Sequence, residues 1–80
     1  MAYKTEELEF YVDATVHVDS TKTFTTVAVT LNQGATEWIG IGTAKRARGD
    51  KYNEDLGITL ATARAFRDVA EDLERAASAL

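Results

Sequence analysis

Apolar and polar residues alternate near the start of the chain. From Leu8 to Val18 the even positions are all apolar, whereas the odd positions are Glu9, Tyr11, Asp13, Thr15 and His17. Because successive side chains of a strand point to opposite faces, this alternation predicts one long, half-buried strand with its even face on the core. The polar run Asp-Ser-Thr-Lys at residues 19–22 then predicts a hairpin turn.

Two more extended segments follow with the same period. Residues 23–31 are rich in β-branched side chains, and the extended pattern resumes over residues 36–46, after a turn in which Gly34 can adopt positive φ. The third segment carries Gly40 and Gly42 in its interior, where glycine usually marks a bulge or the close approach of another backbone. We expect the C-terminal helix to be that backbone.

The last third of the chain has helical periodicity. Asn53 is the expected N-cap with two acids in the first turn, but Gly57 leaves a start near Thr59 as an alternative. Apolar residues then recur at i, i+3, i+4 and i+7, and the buried stripe that they predict comprises Ala63, Phe66, Val69, Ala70, Leu73, Ala76, Ala77 and Leu80.

These elements predict a single domain, residues 1–80, of the α+β class. Its architecture is a three-stranded antiparallel β-meander with one C-terminal α-helix packed on one face. The opposite side of the helix is expected to be a solvated surface, on which Arg64 pairs with Asp68 at i, i+4 spacing.

The composition narrows the class of protein. The absence of cysteine and the single histidine exclude a disulfide scaffold and most zinc sites, and we expect no cofactor and no metal. No run approaches the ~18 apolar residues of a membrane span, and no apolar signal segment is present, so we expect a cytoplasmic protein with no membrane partner. His17 lies near Asp19 and Ser20, but no oxyanion donor accompanies them, so we expect no catalysis.

The charge is unevenly distributed. The net charge is −4, which argues against a general polyanion binder. Residues 43–67 nevertheless hold six basic residues against three acids, a local +3, whereas the other residues hold three against ten, hence −7. This asymmetry is typical of a domain with one positive side, or of simple salt bridging on a helix surface.

Three stretches resemble a known family: Gly40 to Arg46, the pair Leu56-Gly57, and the helix from Thr59 to Ala70. The family is a small one of uncharacterised proteins from mycobacteria, other actinobacteria and their phages, with a G-x-G-x-A-R segment, an I/L-G pair and a helix reading L-x-x-A-R-A-L-x-D-L. The resemblance covers about half the chain. It implies a fold similar to the C-terminal part of double-stranded-RNA-binding domains and to ribosome hibernation factors, and it implies dimerisation.

The resemblance also implies a site. In RNA-binding domains of that fold, a strand of this kind precedes a basic helix start that meets phosphates, and the first hairpin loop enters a minor groove. The matching cations here are Lys22, Lys45, Arg46, Arg48 and Lys51. The first hypothesis is therefore a non-enzymatic accessory protein that associates with RNA or the ribosome. The alternative interpretation of these cations is a solvated strand end, and the helix starts with acids where those domains have lysines.

Three aromatic residues support a second hypothesis. Tyr11, Phe24 and Trp38 are expected to share the sheet face away from the helix, unless a bulge at Gly40 or Gly42 changes the register. Three interpretations of such aromatic residues are open: they stack on unpaired bases, they lie in a protein interface, or they are simply partly buried. The second hypothesis is therefore a protein-binding module that forms a homodimer, or docks on a host protein, through the open sheet face or an edge strand.

Overall fold

Three strands and one helix make up the part of the chain that this computed structural model describes, residues 3–46, 51 and 53–80. The strands are β1 (Phe10–Val18), β2 (Phe24–Gln33) and β3 (Thr36–Lys45), and the helix α1 spans Glu54–Ser78. β2 lies between β1 and β3 and pairs antiparallel with both. The predicted α+β meander with a C-terminal helix is confirmed, although β1 begins at Phe10 and not at Leu8.

Each hairpin turn has a local feature that accounts for its shape. In the first turn, Asp19 Oδ1 accepts hydrogen bonds from the backbone N–H of Thr23 at 2.7 Å and of Phe24 at 2.8 Å. In the second, Gly34 has a φ of 60°, which confirms the predicted positive φ. The strands on either side of these turns are therefore held in a fixed register.

Helix α1 lies directly on the backbone of β3. A Cβ atom on Gly42 would be 2.0 Å from the carbonyl oxygen of Ala61, and one on Gly40 would be 2.2 Å from that of Ala65. The expected approach of the helix to the strand glycines is therefore confirmed. Only glycine on the strand and a methyl group on the helix leave room for two backbones at this distance.

The core lies between α1, β2 and β3. Its buried apolar residues are Val27, Val29, Ala44, Ala61, Ala65 and Val69. The predicted stripe on the helix is confirmed at Val69 and Leu73. It is wrong at Ala63 and Ala70, which face solvent, and at Phe66, which is 46% exposed. The helix turns Ala61 and Ala65 inward instead, because larger side chains would not fit above the glycines of β3.

Two charged side chains of α1 bind the outer edge of β3. The N–H of Ile41 donates to Asp68 Oδ2 at 3.0 Å, and Arg64 Nη1 donates to the carbonyl oxygen of Thr43 at 2.7 Å. The expectation that Arg64 and Asp68 form only a solvated surface pair is wrong, since each satisfies a backbone group of the edge strand. An edge protected in this way is blocked as a template for another strand.

The helix begins at the earlier of the two expected positions. Asn53 Oδ1 accepts a hydrogen bond from the N–H of Leu56 at 3.0 Å, so Asn53 is the N-cap and Glu54 the first helical residue. Gly57 lies inside the first turns and faces Thr25, whose Oγ1 would be 3.0 Å from an added Cβ. This close contact accounts for a glycine within the helix.

Candidate interaction surface

Strand β1 is exposed along almost its whole length. Every residue from Phe10 to His17 is exposed, and Val12 and Val16 retain 49% and 45% of their accessible surface. In the neighbouring strand, by contrast, Val27 and Val29 are completely buried. The expectation that the even face of this strand lies on the core is therefore wrong with respect to burial.

The register nevertheless places the apolar side chains of β1 on the helix side of the sheet. Val16 is opposite Val27, and Ala14 is opposite Val29, and directly opposite residues share a face. Since Val27 and Val29 lie under the helix, Ala14, Val16 and their even-numbered neighbours point to the same side but lie beyond it. The period-two alternation therefore predicted the orientation of these side chains correctly, but the helix does not cover them.

The width of the helix explains why β1 is uncovered. An α-helix with its side chains is about 10–12 Å across, and strands are about 4.8 Å apart, so one helix covers roughly two strands. Helix α1 packs on β3 and β2. This comparison of widths was available from the sequence and predicts that one strand of three stays uncovered, but it does not identify that strand.

The backbone of β1 adds a row of outward hydrogen-bonding groups. The N–H of Asp19 donates to the carbonyl oxygen of Phe24 at 3.1 Å, in the same register as the β1–β2 ladder. Because hydrogen-bonding direction alternates along an antiparallel strand, the odd residues of β1 bond to β2 and the even residues point their N–H and C=O groups outward. Within the described residues, no strand pairs with this outer edge.

These features define what we call the β1 surface: the outward backbone groups of the even residues, with their apolar side chains Phe10, Val12, Ala14 and Val16. It differs from the outer edge of β3 in its backbone groups, since Asp68 and Arg64 bind the N–H of Ile41 and the carbonyl oxygen of Thr43 at that edge. By helical spacing, Phe66 lies on the flank of α1 opposite to these two residues, which is the flank nearer to β1.

The three aromatic residues expected on the open face are not brought together. Trp38 lies on the helix side, where it packs against the core and donates from Nε1 to Gln33 Oε1 at 3.1 Å. Tyr11 and Phe24 do lie on the opposite face, but at opposite ends of the sheet, roughly 26 Å apart along the strands. The expected shared aromatic face is therefore wrong. Trp38 is separated from Gly40 and Gly42 by even numbers of residues in an uninterrupted strand, so it lies on the helix side with these glycines.

Four of the five predicted cations do converge. Lys22, Lys45, Arg46 and Lys51 line one cavity of about 140 Å³ beside the start of α1, and we call this region the basic end. Arg48 lies outside the described residues. The hairpin turn brings Lys22 to this end, and the bond from the N–H of Arg46 to the Thr23 carbonyl oxygen, at 2.8 Å, extends the ladder there.

The turn that carries Lys22 is braced by a carboxylate. Besides its two backbone bonds, Asp19 accepts a hydrogen bond from the hydroxyl of Thr21. The Thr21 hydroxyl, followed by the N–H of Phe24, holds the pKa of the Asp19 carboxyl below its ordinary value. Asp19 thus remains ionised and orders the turn at neutral pH.

Other classes of site find little support among the described residues. No group of three or more histidine, cysteine or acidic side chains there is arranged to hold a metal ion. Across the same residues, the structure contains no helix of the length and apolar character that a membrane crossing requires.

The chain matches a family model described as Rv2632c-like over residues 9–79, and it therefore belongs to the Rv2632c-like family. The match takes in all three strands and the helix, so β1 is part of the family pattern as well as the half of the chain that carries the sequence resemblance. A search of curated proteins finds no match.

Proposed function

We propose that this member of the Rv2632c-like family is a non-enzymatic protein-binding module, which adds a strand of its partner to the outer edge of β1. The observation that carries this proposal is the contrast between the two edges of one sheet. Arg64 and Asp68 cap the outer edge of β3, whereas β1 presents outward backbone groups beside an apolar face. Strand addition uses such backbone groups for affinity and the alternating side chains for specificity.

The side chains of β1 favour a partner that is itself extended and apolar on one side. Val12 and Val16 are about half exposed, and covering the remainder of each contributes roughly 1 kcal/mol. No charged residue lies on this side of β1, so an apolar strand meets no buried charge there.

The test compares two faces of the same sheet. We expect the double variant Val12→Lys/Val16→Lys to lose partner proteins from a cell extract, because it places charges in the contact. The control Ile39→Lys/Ile41→Lys changes two equally exposed residues on the opposite face, at 53% and 58%, and is expected to retain them. Equal capture by both variants contradicts the proposal, and so does a wild type that captures neither another protein nor a second copy of this chain added to the extract.

A second candidate function is supported by the basic end. The side chains of Lys22, Lys45, Arg46 and Lys51 lie around one cavity although they come from three separate parts of the chain. Such a cluster suits the phosphate backbone of RNA, which is recognised by shape and charge. In this candidate function the protein associates with RNA or the ribosome through that end.

The RNA candidate is tested by titration with double-stranded RNA and with ribosomes at several salt concentrations. Four phosphate contacts would make log K fall with log salt with a slope of about −3 to −4. Lys45→Glu/Arg46→Glu is expected to abolish binding. Arg67→Glu/Arg75→Glu, at two exposed positions of α1, makes the same change in net charge and is the matched control. Absence of binding even at low salt eliminates this candidate and leaves the β1 proposal intact.

A further inference from the structure

We propose that the partner of β1 is a second copy of this chain, paired antiparallel across a two-fold axis through Ala14, so that two three-stranded sheets form one sheet of six strands. This inference rests on the proposed function, since it names the partner of the same edge. It makes a more specific claim, because it fixes both the identity of the partner strand and its register.

The direction of the backbone groups limits the registers that are available. Only the even residues of β1 point their N–H and C=O groups outward, as the bonding of Asp19 to Phe24 requires. In a symmetric antiparallel pair, even residues must therefore lie opposite even residues. The axis then passes through a residue and not between two residues, and the central choices are Asp13, Ala14 and Thr15.

Charge and the number of paired residues select among these three positions. An axis at Asp13 would place two carboxylates directly opposite each other, with Cα atoms about 4.5 Å apart, which is destabilising. An axis at Thr15 would leave Phe10 opposite the turn, so that fewer residues pair. An axis at Ala14 pairs all nine residues of β1 with those of the second copy and places no like charges opposite each other.

The pairs formed about Ala14 are compatible along the whole strand. On the helix side, Val12 of one copy meets Val16 of the other, and the two small Ala14 side chains meet on the axis. On the opposite side, Asp13 meets Thr15 and Tyr11 meets His17. Apolar side chains thus face apolar ones, and polar side chains face polar ones, as stable cross-strand pairs require.

The resulting assembly explains the uncovered apolar surface. The even-numbered side chains of the two β1 strands would form one continuous apolar surface on the helix side of the sheet, between the two α1 helices. Each valine would gain a cross-strand valine neighbour where the single chain leaves it about half exposed. The contact is isologous, as is typical of two-fold dimers, and it removes the open edge from each sheet.

Disulfide trapping tests the register, because the chain has no cysteine of its own. In Ala14→Cys the two Cα atoms would be about 5.5 Å apart, within the roughly 4.4–6.8 Å that a disulfide spans. In the control His17→Cys, at a position that is also exposed, the two cysteines would be roughly 20 Å apart. We expect mild oxidation to trap Ala14→Cys as a covalent dimer and to leave His17→Cys largely monomeric.

Sedimentation of the wild type over a range of concentrations gives the oligomeric state directly. We expect a dimer that Ala14→Lys weakens by about tenfold or more, because this change places two like charges on the axis, while Ile41→Lys leaves it unchanged. Circular dichroism of each variant confirms that the monomer remains folded. A dimer trapped through His17→Cys and not through Ala14→Cys overturns the register and hence the proposal.

A wild type that stays monomeric up to roughly 1 mM also overturns the second copy as the partner. In that case the capture experiment with Val12→Lys/Val16→Lys separates the two ideas. If the wild type captures another protein that Val12→Lys/Val16→Lys does not capture, β1 binds a different partner and the proposed function stands. If the wild type is monomeric and captures no protein through β1, the dimer and the proposed function are both refuted.

Discussion

Replacing Gly42 by alanine tests how closely α1 is seated on β3. The added Cβ would lie 2.0 Å from the Ala61 carbonyl oxygen and 2.4 Å from the Ala65 backbone nitrogen. These are backbone atoms in the middle of a helix, so no side-chain rotation can relieve the overlap. Reaching an ordinary contact of 3.4 Å requires the helix to move away by about 1.4 Å.

The expected cost follows from what that movement disrupts. Overpacking of this kind typically costs about 1–3 kcal/mol. The bonds from Arg64 and Asp68 to the β3 backbone would lengthen as well, and each contributes roughly 0.5–1.5 kcal/mol. We therefore expect the free energy of unfolding to fall by about 3 kcal/mol, a large part of the roughly 4–12 kcal/mol expected for 80 residues.

Urea denaturation measures this loss, with Trp38 fluorescence and circular dichroism as probes. Trp38 is the only tryptophan and packs against the core, so its fluorescence emission reports on the packing of α1 on the sheet. The control is Gly34→Ala, where an added Cβ meets nothing within 4 Å but φ is 60°. That change should cost about 1 kcal/mol through backbone strain alone. If Gly42→Ala costs no more than this control, the close seating of α1 on β3 is refuted.

Three further predictions concern the elements that hold the fold. Asp68→Ala, which removes an acceptor at the β3 edge, should lower stability by about 1–2 kcal/mol and promote aggregation measured by light scattering, whereas Arg67→Ala should be nearly neutral. Asn53→Ala should lower the unfolding free energy by about 1 kcal/mol through loss of the helix cap, measured by urea denaturation. The pKa of Asp19 is lowered in the folded state, first by Thr21, so its stabilising contribution is full at neutral pH and is lost as pH falls below about 3.8. The stability gap between wild type and Asp19→Asn should therefore narrow at acid pH, and a gap that stays constant from pH 7 to pH 3 contradicts this.

Local chemistry made most elements predictable from the sequence. The turn at Gly34, the cap at Asn53 and the strand glycines each depend on one residue type whose backbone or side-chain preference is strong. The period-two alternation also gave the correct orientation of the even residues of β1, because the pleat determines side-chain direction. The convergence of Lys22 with Lys45 followed from the hairpin topology, which a meander requires.

The order of the residues thus predicts which segments are strands and helix and, in β1, which way the side chains point. The packing of the elements against one another sets which faces are covered, and it also sets the rotation of the helix. Helix α1 seats on the glycines of β3, so it turns Ala61 inward, moves Phe66 to its flank and keeps Trp38 beside the core. A helix seated there is too narrow to reach β1, since covering depends on the width and position of a neighbour and not on the residues that are covered.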